Sequence, residues 1–392
     1  MDVRTPPARF DKTVLQVIPT LDAGGAERTT VDVARAVCAA GGVAIVASRG
    51  GRLEDKLRDA GAELVRLPMD AKDPLTLARN VGRLAALARA RNVDIVHARS
   101  RAPAWSALGA ARAVGAAYVT TYHGSYKARW AGKRLYNSVM ARGDAVIANS
   151  GFTAEAIRQT YAIDPARIVV IPRGVDLAAF SPEAVSSDRV EALRAAWGLT
   201  NDGPIIMLPA RLSGWKGHSV AIRAFARLVD RPGCAEARLL CVGDADKRGD
   251  FARSLRAEAD ALKLGERIAF VGHCDDMPAA FSLCDFAITP STRPEAFGRT
   301  AAEAGAMARP VIAADHGGAR ETVEDGVTGA LAPPGDVVGL AEAMEAFVNA
   351  GPEARATIGA RARAKISRSF SVEAMCAATL RAYVNVKNLR RV

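Results

Sequence analysis

The sequence predicts an α/β protein built from two doubly wound parallel-sheet domains in series. Three observations carry that expectation. At 392 residues the chain exceeds one comfortable core and suits two domains of roughly 100 to 200 residues each. Short β-branched runs alternate with helical patterns, the order of a parallel α/β sheet. That alternation occurs twice, broken once by Pro172-Arg173-Gly174-Val175-Asp176 and a polar stretch around Ser181-Pro182 and Ser186-Ser187-Asp188, where turn-forming residues mark a linker. With 49% apolar and 24% charged residues, the composition excludes a disordered or fibrous chain.

Taken in order, the first series predicts strands at Val14–Ile18, Val43–Ala47, Glu63–Leu67, Asp94–His97, Tyr118–Tyr122, Ala145–Ala148 and Ile168–Ile171. Between them, Ala26–Ala40 is an Ala-rich helix closed by Gly41-Gly42, and Leu75–Arg91 is a helix opened by the capping pair Asp73-Pro74. The second series predicts strands at Ile205–Leu208, Arg238–Val242, Ile268–Val271, Phe286–Thr289 and Val311–Ala313. From Asp336 onward the composition is helical, with a last helix over Val372–Lys387 after Ser369-Phe370-Ser371. The expected limits are therefore residues 1–180 for the first domain, 181–370 for the second, and 371–392 for a helix packing back on the first.

Charge is unevenly spread. Of a net +11, residues 1–180 hold 26 Lys/Arg against 16 Asp/Glu, whereas 181–392 hold 27 against 26. A basic first half suggests an anionic partner, whether a phospholipid surface, a phosphorylated acceptor or a nucleic acid. No run approaches 18 apolar residues, and the start carries Asp2, Arg4, Arg9 and Asp11 in place of a hydrophobic signal core, so a cytoplasmic location is expected. Six scattered cysteines without a C-x-x-C pair read as reduced core residues.

Residues just after the strands of such sheets face the ligand crevice. After the first strand, Gly24 and Gly25 precede a helix whose free N–H groups could meet phosphate or a sugar hydroxyl; a plain tight turn fits equally, and the G-x-G-x-x-G dinucleotide spacing is missing. In the second half Arg211-Leu212-Ser213-Gly214-Trp215-Lys216-Gly217 puts two cations on a glycine-bearing loop, a pair suited to neutralising a departing diphosphate; taken by itself, the segment also fits a solvated basic loop. Pro290 to Gly298 then leads into a helix carrying Glu303. Helix N–H groups near Ala296, Phe297 and Gly298 would face phosphate or sugar oxygens. Glu295 and Glu303, roughly 12 Å apart if every intervening step is helical, are acids suited to sugar and ribose hydroxyls; in isolation the pair fits two exposed helix acids as well.

Together these segments resemble glycosyltransferase family 4, retaining enzymes of the two-Rossmann GT-B fold, and the resemblance spans nearly the whole chain. Its parts stand in the family's order: G-G-A-E-R (Gly24 to Arg28), R-L-x-x-x-K-G (Arg211 to Gly217), V-G-D (Val242 to Asp244), P-S-x-x-E-x-F-G with E-x7-E (Pro290 to Glu303), and G-G-x-x-E (Gly317 to Glu321). The resemblance implies two domains facing across a cleft and a UDP- or GDP-sugar as substrate. It assigns Arg211 and Lys216 to the donor diphosphate, Glu295 to the transferred sugar, and Glu303 to the ribose. Gly243 falls at the family's V-G-D position near the donor, and His123 at the position that reaches the donor sugar. No metal or other cofactor is expected: Asp244-Ala245-Asp246 spells D-x-D but sits at that V-G-D position. His218, His273 and His316 lack metal-ligand spacing and are expected in loops, His273 near the base.

The basic excess has a focus at Tyr126 to Tyr136, including Lys127, Arg129, Trp130, Lys133 and Arg134, preceded by Arg99, Arg101 and Trp105. Mixed cations and aromatics suit an anionic lipid interface, and equally a solvated helix with part-buried rings. The expected activity is transfer of a hexose to a hydroxyl of a lipopolysaccharide-core or other envelope glycolipid intermediate, at the inner membrane face. The rivals are a sugar-nucleotide epimerase, a glucan synthase, a basic nucleic-acid-binding protein, for which no motif is visible, and an oxidoreductase, which lacks the glycine spacing.

Overall fold

A computed structural model describes residues 9–22, 24–124, 130–200, 203–245 and 249–389. The chain divides into two compact units. One comprises the residues up to Gly174 together with those from Val372, and the other runs Val175–Ser371.

The first unit contains β1 (Thr13–Val17), α1 (Gly25–Ala39), β2 (Val43–Ser48), α2 (Glu54–Asp59), β3 (Glu63–Arg66), α3 (Pro74–Ala90) and β4 (Ile95–Ala98). It continues through α4 (Arg101–Val114), β5 (Ala117–Tyr122), α5 (Ala131–Ser138), β6 (Ala145–Ala148), α6 (Gly151–Thr160) and β7 (Ile168–Val170). Its seven strands are ordered β3-β2-β1-β4-β5-β6-β7, every pair parallel. Parallel strands need crossovers on both faces, so the inner strands are covered on both sides: β4, β5 and β6 are fully buried. Local sequence sets the helix limits. The Asp73 side chain accepts the Thr76 amide ahead of Pro74, and Gly115 ends α4 at φ +72°, a left-handed conformation that favours glycine.

The second unit contains α7 (Ser187–Ala196), β8 (Ile205–Pro209), α8 (His218–Val229), β9 (Arg238–Val242), α9 (Asp250–Ala261), β10 (Ile268–Gly272), α10 (Met277–Leu283) and β11 (Phe286–Thr289). There follow α11 (Arg299–Ala306), β12 (Val311–Ala314), α12 (Ala319–Thr322), β13 (Gly329–Ala332), α13 (Val337–Asn349) and α14 (Gly351–Ser369). Its parallel strands are ordered β10-β9-β8-β11-β12-β13. A core of Ile206, Leu208, Phe225, Leu228, Phe286 and Phe347 joins the sheet to α8 and α13. Phe225 is wholly buried, which stabilises the fold by roughly 1.5 to 3 kcal/mol relative to an exposed ring.

The last helix, α15 (Val372–Leu389), belongs to the first unit. It packs on α1, β5 and β6 and buries Met375, Leu380 and Tyr383 in that unit's core. Three details differ from the sequence reading. The strand β13 was not foreseen, because Gly-Ala-Leu-Ala has no β-branched residue. The helix carrying Glu303 begins at Arg299, after Gly298 at φ +79°, so residues 295–298 form a turn rather than helix. His218 is no loop residue: it opens α8 and is fully buried.

Candidate active site

In each sheet the strand order reverses at one place, between β1 and β4 and between β8 and β11. Ligands of open α/β sheets bind outside the carboxyl ends of strands at such points. In the second unit the loop after β8 carries Arg211 and Lys216, and the loop after β11 carries Glu295. Neighbouring strands thus bring together residues far apart in the chain.

Lys216 Nζ lies 2.8 Å from Glu295 Oε1, and the two side chains are only 18% and 16% exposed. Ser291 Oγ donates to the same Oε1, leaving Oε2 for a further donor. The Lys216 ammonium also sits 4.4 Å from the centre of the Trp215 ring, a cation–π contact. Thr292 N donates to Trp215 O at 2.8 Å, tying the two loops together. Gly217 makes this approach sterically feasible: its φ is +79°, and a Cβ there would stand 1.9 Å from Pro290 O.

Glu295 is held from behind as well. Gly318 N donates to Glu295 O at 2.8 Å, and a Cβ on Gly317 would fall 2.5 Å from that same oxygen. The G-G-x-x-E motif is therefore a packing device beneath the acid. Phe297 points inward, 3% exposed, with its ring 5.6 Å from that of Phe370; it anchors the turn of Ala296 and Gly298 and offers a ligand only its backbone.

A second group surrounds a cavity of about 250 Å³ bordered by Arg211, Gly243, Asp244, His273, Met277 and Glu303. That is slightly below the roughly 300 to 1,000 Å³ of small-molecule sites. Glu303 accepts from Arg299 Nε at 2.7 Å on Oε1, and Arg211 is exposed with no ion pair among the described residues. Gly243 is required here, since a Cβ would come 2.3 Å from Ala210 O. The His273 ring lies 3.3 Å from Asp244 and 3.1 Å from Asp275. His316 Nε2 meets Ser291 O at 2.7 Å.

His218 has both ring nitrogens shielded without a hydrogen-bond partner, and burial pushes its pKa down to about 4. It packs edge-on to Phe251. All six cysteines are free thiols. Among the described residues no group of three or more His, Cys, Asp or Glu could hold a metal; Asp246 lies outside them.

In the first unit Gly24 caps α1 and Gly25 begins it. His123 follows β5 with its ring nitrogens shielded and unpartnered. Burial, with the Arg173 and Arg99 cations nearby, holds it neutral, well below the usual imidazole range. The basic aromatic segment divides. Lys127 and Arg129 lie outside the described residues. Trp130 caps α5 at 66% exposure, near Leu135 at 61%, while Arg134 donates to Thr160 O at 2.7 Å and Lys133 is half-buried on the same helix. Arg99 does not join that surface. It is 2% exposed, at the carboxyl end of β4, although the sequence reading counted it with the basic surface. No described helix is long and apolar enough to cross a membrane.

Two doubly wound units, with a cationic loop and two acids gathered at the switch point of the second sheet, have the build of a nucleotide-sugar transferase. The chain belongs to the family 4 and group 1 glycosyltransferases: residues 23–179 match Glycosyltransferase Family 4 and residues 189–365 match Glycosyl transferases group 1. A glycosyltransferase from Rickettsia africae ESF-5 is 34% identical with a TM-score of 0.88, the match covering 96% of this chain and 99% of that one. HepE of Anabaena, solved in complex with UDP, is 26% identical with a TM-score of 0.79, covering 97% and 100%. D-inositol 3-phosphate glycosyltransferase of Xylanimonas cellulosilytica is 34% identical over 256 residues, 64% of this chain and 59% of that relative. The chain thus spans less than two thirds of that curated relative.

Proposed function

We propose that the protein is a retaining hexosyltransferase that moves a sugar from a UDP- or GDP-sugar to a hydroxyl of an envelope glycolipid or lipopolysaccharide-core intermediate. The observation that carries this is the joining of Lys216 to Glu295 at 2.8 Å next to a cavity bordered by Arg211 and Glu303. HepE, a relative of the same fold, has been solved with UDP-glucose, which favours uridine as the base.

In this reading Glu303 accepts hydrogen bonds from the ribose through Oε2, and the base occupies the cavity by His273 and Met277. Arg211 and Lys216 face the diphosphate. An ammonium has three donors; one is engaged by Glu295, leaving two for phosphate oxygens. Glu295 Oε2 accepts from a hydroxyl of the transferred sugar. As the glycosidic bond breaks, negative charge grows on the leaving diphosphate, and fixed cations stabilise it without reorganising. That oxygen takes the acceptor proton on the face it leaves, so no dedicated protein base and no metal is needed.

The exposed Trp130 and Leu135 beside Lys133 and Arg134 support a peripheral position on an anionic cytoplasmic membrane face. Incubation with UDP-glucose, with and without an envelope glycolipid fraction, tests the activity. The reading requires UDP release that depends on acceptor and a product of retained anomeric configuration. Donor turnover indifferent to acceptor would point to an epimerase or hydrolase instead.

A further inference from the structure

Tryptophan side chains ordinarily withdraw from water to pack against a core, and Trp215 lacks that reason. Trp105 and Trp197 pack against cores of the first and second units. The Trp215 ring joins none of the hydrophobic clusters among the described residues, although it is half-buried. Its neighbour is instead the Lys216 ammonium, 4.4 Å from the ring centre. Sequence adjacency alone does not supply that contact, because successive side chains of a helix point apart. It is made on a single 3-10 turn, Gly214–Lys216, that ends at Gly217 in the left-handed conformation. The tryptophan is also fixed from its backbone: Trp215 O accepts from Thr292 N at 2.8 Å and from Thr292 Oγ1 at 3.4 Å. The ring thus stands on the loop after β8 while its backbone is registered to the loop after β11, which carries Glu295.

Lys216 is where such a device has a use. Lysine is a compact charge on a flexible stem, and its one carboxylate partner among the described residues is Glu295. A second carboxylate would also restrain the stem, but it would cancel the charge that a departing diphosphate needs. The face of an indole attracts a cation through its quadrupole and carries no net charge. It restrains the ammonium and leaves the positive charge, with the N–H donors not engaged by Glu295, for phosphate oxygens. The Lys216 side chain is only 18% exposed, and this attraction is strongest where water is excluded.

We propose that Trp215 is a positioning residue for the donor: its ring holds the Lys216 ammonium where it meets the diphosphate, and so strengthens diphosphate binding without touching the substrate. This rests on the assignment of Lys216 to the donor diphosphate made above.

Fluorinated tryptophans placed at position 215 alone test it, because successive fluorines drain the negative face of the ring while barely changing its size. Calorimetry on the full chain compares the nucleoside diphosphate that binds the wild type, UDP or GDP, with its nucleoside, which has no phosphate. Diphosphate affinity should fall stepwise from tryptophan to the tetrafluorinated ring, by about tenfold in all, and nucleoside affinity should stay constant. Trp215→Phe, which keeps a weaker π face, should lose less than Trp215→Leu, which keeps only apolar bulk. In a Lys216→Met background neither substitution should weaken the diphosphate further. Equal diphosphate affinity across the fluorine series overturns the proposal. So does a parallel loss of nucleoside affinity, or an undiminished effect of Trp215→Leu in the Lys216→Met background, since both belong to packing. Should neither UDP nor GDP bind the wild type, the donor assignment itself falls, and this role with it.

Discussion

Glu295→Gln is the substitution that separates chemistry from packing at the centre of this site. The amide keeps an oxygen for Lys216 and Ser291 but removes the charge. At 2.8 Å and an effective dielectric constant of about 20, the direct attraction is about 6 kcal/mol before desolvation. Both groups are mostly withdrawn from water, so most of that is offset, and the net worth to the fold is about 1 to 2 kcal/mol. For a domain of this size the melting temperature should fall by about 2 to 8 °C. Turnover should fall much further, by about 100- to 1,000-fold, or about 3 to 4 kcal/mol of transition-state stabilisation. UDP release under saturating donor gives kcat, and a denaturant melt of the same preparation gives stability. Lys216→Met should show the same split, and the double variant should be less destabilised than the sum of the singles. Turnover within threefold of wild type, with Glu295→Gln folded, would refute the role given to this pair.

Other consequences are equally concrete. Gly217→Ala introduces a Cβ 1.9 Å from Pro290 O at a φ of +79°; it should shift Lys216 and lower donor turnover at least tenfold, and normal turnover would show that the loop yields freely. The buried His218 has a pKa pushed down to about 4, below the 6.5 of an unfolded histidine. The unfolded chain therefore binds the proton first, and stability is full above pH 6.5, falling by about 3 kcal/mol as pH drops to about 4. Urea melts should show that slope, and His218→Leu should flatten it; identical slopes would remove His218 from the account. Trp130, 66% exposed, should anchor vesicles containing phosphatidylglycerol, so Trp130→Ser should weaken sedimentation with them severalfold while sparing catalysis of a soluble acceptor. Equal sedimentation would exclude this face from membrane contact.

Much of the architecture was legible because inner strands of a parallel sheet are apolar on both faces, as in Ala145–Ala148 and Phe286–Thr289. What escaped were features decided by tertiary packing. Gly329–Ala332 pairs with β12 although nothing in Gly-Ala-Leu-Ala favours a strand. The turn at 295–298 replaced an expected helix because Gly317 and Gly318 let a second backbone close in beneath it, and glycines distant in sequence announce no such approach. Motif spacing led to Lys216, Glu295, Arg211 and Glu303, but not to their division into an ionic pair and a cavity edge, which depends on β8 lying beside β11. Arg99 was counted with the basic aromatic surface because charge density says nothing of burial. His218 escaped for the converse reason: one polar residue at a helix start looks solvated until the helix is packed.

The account stands on the cavity by Arg211 and Glu303 receiving a nucleoside diphosphate. Calorimetric titration of UDP and GDP into the full-length wild type, Arg211→Ala and Glu303→Gln tests it most directly. One of the two ligands should bind the wild type, and each variant should weaken it tenfold or more while the fold remains intact. No binding of either ligand, or unchanged affinity in both variants, would contradict it.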